Sequence, residues 1–81
     1  MLITAVESTT LSSVVYDASR QLLGLEFQGG AVYCYFGVPA NVHRGLISAP
    51  SKGKYFNLYI RGHFAYRNEG AYPATQQRKP R

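Results

Sequence analysis

The sequence predicts an α+β fold: an antiparallel β-meander of three to four strands packed on two short helices, followed by a disordered basic tail. Three features predict it. Residues 22–36 alternate apolar and polar positions around a central Gly29-Gly30, the pattern of a β-hairpin. Residues 39–60 carry apolar side chains at helical spacing, interrupted once by Pro50. Beyond Arg67 the periodicity stops, and Pro, Gln and basic residues take over.

The strands come first. Leu2–Val6 is a short β-prone run, and residues 11–16 (Leu-Ser-Ser-Val-Val-Tyr) form a second. Asp17-Ala18-Ser19-Arg20 then reads as a turn, because short Asp and Ser side chains bond their own backbone. Leu23, Leu25 and Phe27 lie on one face of the next strand, and Ala31–Phe36 is the returning strand. Gln28-Gly29-Gly30 supplies the positive φ angles of a tight connection. Two registers are open. A three-residue loop sets Leu25 opposite Tyr33 and Leu23 opposite Tyr35, placing both tyrosines in the core. A loop of only Gly29-Gly30 turns them outward as a platform for stacking bases.

The helices follow. Pro39 suits the first position of a helix running to about Ala49, with Val42, Leu46 and Ala49 on one face. Pro50 stops it. Ser51 can cap a second helix in which Tyr55, Phe56, Tyr59 and Ile60 share a face, and Gly53 weakens its first turn by about 1 kcal/mol relative to Ala. Gly62 ends it, and His63–Tyr66 offers a last strand. One domain of residues 1–67 is expected, with 68–81 as its flexible basic tail. A chain of 81 residues has no length for a second core.

Composition narrows the function. The lone cysteine, Cys34, excludes an internal disulfide and fits a reducing compartment. No apolar run approaches the ~18 residues of a membrane span. The opening Met1-Leu2-Ile3-Thr4 lacks the basic flank and long apolar stretch of a secretion signal. A soluble, cytoplasmic protein is the expectation. The net charge of +5 is uneven. Residues 1–43 hold Arg20 against Glu7, Asp17 and Glu26, whereas residues 44–81 hold eight cations against Glu69 alone. Such asymmetry points to a polyanionic partner; its plainer meaning is solubility.

Chemistry-bearing residues are few. His43 and His63 stand twenty residues apart with no nearby cysteine pair or carboxylate pattern, so no metal or other cofactor is expected. Cys34 lies mid-strand, where a small buried hydrophobe is the common outcome, and no catalytic group stands out. Ser51-Lys52-Gly53-Lys54 combines free backbone N–H groups, a glycine and two lysines, the ingredients of a phosphate seat. Its alternative is a plain N-cap with two solvated lysines. Arg61 falls seven residues after Lys54, near two helical turns, and so shares its face. Asn57 lies between them as a further contact or a buried clamp. Arg44 extends the patch if the helices are adjacent. Tyr33, Tyr35 and Tyr55 supply stacking surfaces where exposed, and Arg78, Lys79 and Arg81 add salt-sensitive attraction from the tail.

These segments together resemble a known family. Tyr16-Asp17, Leu23-x-Leu25-x-Phe27-x-x-Gly30, Tyr33-x-Tyr35, Val38-Pro39 and Ser51-x-Gly53-x-Tyr55-Phe56-Asn57-x-x-Ile60-Arg61 occur in the order seen in the KTSC domain. That domain takes its name from the C-terminus of some lysyl-tRNA synthetases and also occurs as free-standing small proteins. The resemblance covers about residues 5–67. It implies no enzymatic activity, and the synthetase context implies RNA as a partner. A protein partner or homodimerisation through the aromatics and a sheet edge is the second expectation.

Overall fold

The structure, a computed structural model, describes residues 2–6 and 8–71. Strands β1 (Leu2–Ala5), β2 (Leu11–Asp17), β3 (Leu22–Phe27) and β4 (Ala31–Phe36) are followed by helix α1 (Ala40–Ser48), helix α2 (Lys52–Tyr55), a π-helical turn (Phe56–Ile60) and strand β5 (Tyr66–Ala71). All five strands join one antiparallel sheet in the order β1-β2-β3-β4-β5, with β1 and β5 at its edges. The α+β fold is thus present, with one strand beyond the three or four expected. Among the described residues no helix is long and apolar enough to cross a membrane.

The last strand, β5, lies later than expected. The sequence places a last strand at His63–Tyr66, but the structure turns through residues 61–64 and starts the strand at Tyr66. Gly62 has φ +81°, and the His63 amide donates to the Ile60 carbonyl at 3.0 Å. Pairing with β4 begins where Tyr66 meets Tyr35, then continues with Arg67 opposite Cys34 and Asn68 opposite Tyr33. A bulge follows, with the register shifting between Val32 and Tyr33. Residues 66–70 are exposed and mostly polar, so this edge strand carries no apolar alternation to announce it.

The β3–β4 loop has three residues, and the register sets Leu25 opposite Tyr33 and Leu23 opposite Tyr35. Both tyrosines therefore face the helices. On that face Leu11, Val14, Tyr16, Leu23, Leu25 and Tyr35 pack against Val38, Leu46, Phe56 and Ile60 to form the core. Each fully buried Leu or Ile contributes about 1.5–3 kcal/mol relative to exposure.

Local chemistry fixes the connections. Ser19 Oγ donates to Asp17 Oδ1 at 2.9 Å, and the Arg20 amide donates to the same oxygen at 3.4 Å, closing the β2–β3 turn. Pro39 is the N-cap of α1 rather than its first residue, since its ψ of 158° is extended; its carbonyl accepts from the amides of Val42 and His43. Ser51 caps α2, its Oγ accepting from the Lys54 amide at 3.3 Å. Gly53 in that first turn has a steric reason. A Cβ there would lie 2.5 Å from Thr10 Oγ1, in the β1–β2 connection.

His43 and Leu46 are the buried residues of α1. The His43 ring stacks on Tyr16 at 4.4 Å and 9°, and its Nε2 has no hydrogen-bond partner among the described residues. Burial, then the neighbouring Arg44 charge, pushes its pKa below the ordinary 6.5. The unfolded chain therefore takes up this proton first. Stability is retained above the unfolded value and falls as pH drops through about 6.5 towards the native pKa. Urea midpoints are expected to be lower at about pH 5 than at about pH 7.5, with the difference shrinking in His43→Phe. An unchanged difference in that variant would exclude His43 as the cause. Asp17, whose carboxyl is held below 3.8 chiefly by the Ser19 hydroxyl, acts only in a more acidic window.

Candidate functional site

Tyr33 and Tyr35, two residues apart on β4, share the core-facing side of the sheet at its β5 end. Because β5 pairs there, Tyr66 stands beside both, its ring 5.7 Å from that of Tyr33 and 5.5 Å from that of Tyr35. The Tyr33 and Tyr35 rings lie 6.5 Å apart and 29° from parallel. Phe27 and Phe56 close the inner side edge-on. Phe27 meets Tyr33 at 84°, Phe56 meets Tyr35 at 74°, and the two phenylalanines meet each other at 77°. Edge-to-face packing of this kind adds about 0.5–1.5 kcal/mol per pair beyond area burial.

These five rings, with Arg61 and Gly62, line a half-open cleft of ≈ 360 Å³. Its inner wall is rigid core, Tyr35 being 4% exposed and Phe56 8%, whereas Tyr66 is 59% exposed at its outer wall. The Tyr35 phenol is pushed above its ordinary pKa by burial and by the neighbouring Tyr66 and Tyr33, with Arg61 opposing. It stays protonated near neutrality and can donate a hydrogen bond. Asn68 Nδ2 donates to the Tyr33 hydroxyl at 3.4 Å, while Asn68 Oδ1 accepts from the Gly70 amide at 2.7 Å. The bulged strand thereby orients one phenol.

Arg61 reaches the cleft because the second helix changes its winding. Seven residues of regular α-helix would align Arg61 with Lys54, but α2 ends at Tyr55 and a wider π turn takes over. The Arg61 amide donates to the Phe56 carbonyl at 2.8 Å, five residues back, and Arg61 itself is extended with ψ 123°. The expected shared face is therefore absent. Arg61 belongs to the aromatic cleft, away from the face Lys54 would share on a regular helix.

The other expected residues lie elsewhere. Lys52 lines a second cleft of ≈ 480 Å³ with Ser8, Thr9, Pro50, Ser51 and Gly53, and its Nζ donates to the Ala49 carbonyl at 2.9 Å. Lys54 is exposed on α2 and Arg44 is exposed on α1. Tyr55 packs over Gly45 and against Tyr59, 4.7 Å away, outside the cleft. Tyr59, expected on the packed face, is 55% exposed. Asn57 is exposed on the π turn and so is not a buried clamp. Arg78, Lys79 and Arg81 lie outside the described residues. The structure thus joins Arg61, Tyr33 and Tyr35 and separates them from the lysines. It adds Tyr66, Phe27 and Phe56, whose convergence depends on strand pairing and left no contiguous signal.

Charge at the cleft is one-sided. The carboxylates of the described residues are engaged away from it. Asp17 pairs with Arg20, Glu69 pairs with Arg67 at 3.0 Å, and Glu26 accepts from Ser13 Oγ at 3.0 Å. Arg61 has no carboxylate partner among the described residues. Cys34 points to the opposite side of the sheet from Tyr33, Tyr35 and the stacked His43, so Cys34 and His43 form no dyad. Burial, then Glu69, raises the Cys34 thiol pKa, with Arg67 opposing. Among the described residues no three His, Cys, Asp or Glu side chains cluster as a metal site would require.

Residues 7–64 match the KTSC domain family. A crystal structure of a KTSC domain protein from Yersinia pestis superposes with a TM-score of 0.81 at 35% identity, covering 85% of this chain and 97% of that one. A lysine–tRNA ligase from a Nostoc species is 43% identical over 60 residues, which are 74% of this chain and 11% of the ligase. A protein from Stutzerimonas stutzeri is 40% identical over 63 residues, or 76% of this chain and 89% of that protein. The chain therefore spans a small part of the ligases it matches and most of its small relatives.

Proposed function

This chain belongs to the KTSC domain family, and on that premise we propose that it is a small, non-catalytic, cytoplasmic module that binds nucleic acid, RNA in particular. The observation that carries the reading is Arg61, a guanidinium without a carboxylate partner among the described residues, at the edge of a cleft walled by aromatic rings. A cation meets phosphate, and aromatic faces meet bases whatever their sequence. A relative that carries the same segment is, by its name, a ligase for tRNA. Lys52, Lys54 and Arg44 contribute longer-range attraction around the cleft, and the basic residues at positions 78–81 of the sequence extend it.

Fluorescence anisotropy with a labelled single-stranded RNA tests this. Contacts to about three phosphates predict that affinity falls on the order of tenfold between roughly 50 and 200 mM salt. Lys52→Glu with Lys54→Glu is expected to weaken binding at low salt. Salt-independent affinity, or no binding at low salt, would defeat the reading.

A second reading, as a protein-interaction module, rests on the other side of the sheet. Ile3, Val15, Gly24 and Cys34 line up across it, with Ile3 74% exposed and Phe36 37%. Under this reading the lysine variant keeps its protein partner, and Ile3→Glu loses it.

A further inference from the structure

Building on the nucleic-acid reading, we propose that the cleft takes one unpaired base, inserted against Tyr33, Tyr35 and Tyr66 with its phosphate on Arg61. The ligand is then single-stranded, and the core of recognition is one nucleotide per domain.

The lining excludes other guests by chemistry. Five aromatic rings resemble the cages that hold ammonium groups, but such cages work through attraction of a cation to the ring faces. Here the charged group in the lining is itself a cation, Arg61, and no carboxylate of the described residues pairs with it. A positively charged guest is repelled. A purely aliphatic guest leaves the Arg61 guanidinium in the lining without a partner, a cost that an anionic guest avoids. A flat heterocycle with an anionic substituent satisfies both the rings and the guanidinium.

Shape carries the inference further. The cleft's ≈ 360 Å³ stands at the small end of the ~300–1,000 Å³ range of ligand pockets and is ample for one nucleobase. The half-buried Tyr33 and the exposed, tilted Tyr66 offer ring faces, while buried Tyr35 and the edge-on Phe27 and Phe56 close the floor. In a duplex both faces of each base are covered by its neighbours, so only an unstacked base can enter. Beside Arg61, the turn is open. Gly62 has no atom within 4 Å of where a Cβ would stand, so a sugar–phosphate backbone can approach the chain there. Tyr66, at 59% exposure, is the outer wall, and its loss removes contact area from the cleft while the fully buried side chains keep their places.

The test uses the full chain and three fluorescein-labelled probes of equal length: a single-stranded RNA, the same sequence in a blunt duplex, and a single-stranded DNA. Wild type, Tyr66→Ala, Arg61→Gln and the Lys52→Glu/Lys54→Glu variant are titrated, with thermal melts confirming that each is folded. Single-stranded probes are expected to bind at least tenfold more tightly than the duplex. Tyr66→Ala is expected to weaken single-strand binding by about 5- to 150-fold, the range for one stacked base, while leaving duplex binding unchanged. Arg61→Gln should flatten the salt dependence by about one phosphate contact. Equal affinity for duplex and single strand, or a folded Tyr66→Ala with wild-type affinity, overturns base insertion. If the lysine variant still loses binding in that case, nucleic-acid binding stands without it. Failure of wild type to bind any probe overturns both.

Discussion

Tyr16→Ala is expected to leave the domain largely unfolded or close to it under ambient conditions. Tyr16 is 2% exposed and joins three elements. It sits on β2, its ring stacks on His43 of α1, and its hydroxyl donates to the Val38 carbonyl at 2.6 Å in the connection between β4 and α1. Truncating a buried aromatic costs about 3–5 kcal/mol. A domain of this size has a total stability of only about 4–12 kcal/mol. The loss also opens a cavity against His43, whose imidazole already lacks a partner at Nε2 among the described residues. Tyr16→Phe separates the contributions. It keeps the ring and strands the buried Val38 carbonyl, at about 1–3 kcal/mol. Urea denaturation measures both. Were Tyr16→Phe as damaging as Tyr16→Ala, the hydroxyl rather than the stack would be holding α1. A near-wild-type midpoint for Tyr16→Ala would refute the whole assignment.

Gly45→Val is expected to destabilise by about 1–3 kcal/mol, although Val is the better helix former by intrinsic propensity. The reason is Tyr55. Its hydroxyl occupies the space a Cβ on residue 45 would need, with Cζ at 2.6 Å and Cε2 at 2.8 Å. Moving the ring aside costs its packing against Tyr59, 4.7 Å away. This contact seats α2 and the π turn on α1, and so positions Phe56 and Arg61. A double-mutant cycle checks it. Tyr55→Ala should relieve the clash, so that Gly45→Val becomes neutral or mildly stabilising in that background. Additive losses would mean that the two residues do not meet.

Much of the molecule was legible along the chain. The hairpin of β3 and β4 follows from alternation and two glycines. The start of α1 follows from Pro39 to within one position, the cap of α2 from Ser51, and the β2–β3 turn from Asp17 and Ser19. Each depends on residues a few positions apart. The register choice at Tyr33 and Tyr35 was also stated in the sequence, as two alternatives that differ by one residue. Only the packing of Leu23 and Leu25 under the helices selects between them. Strand β5 was expected a few residues early, at His63–Tyr66, because an exposed edge strand has no buried side to impose alternation. The π turn escaped because Phe56 and Ile60 lie four apart in either winding, so apolar spacing does not distinguish them.

By itself the sequence determined the meander, the two capped helices, the uneven charge and the resemblance to a family. Each is a local pattern, or an order of local patterns, and survives being read in one dimension. The tertiary structure alone decided which cation meets which ring. Arg61 and Tyr66 flank Tyr35 because one extra residue in a helical turn and one late strand bring them there, and those displacements arise from packing against distant parts of the chain.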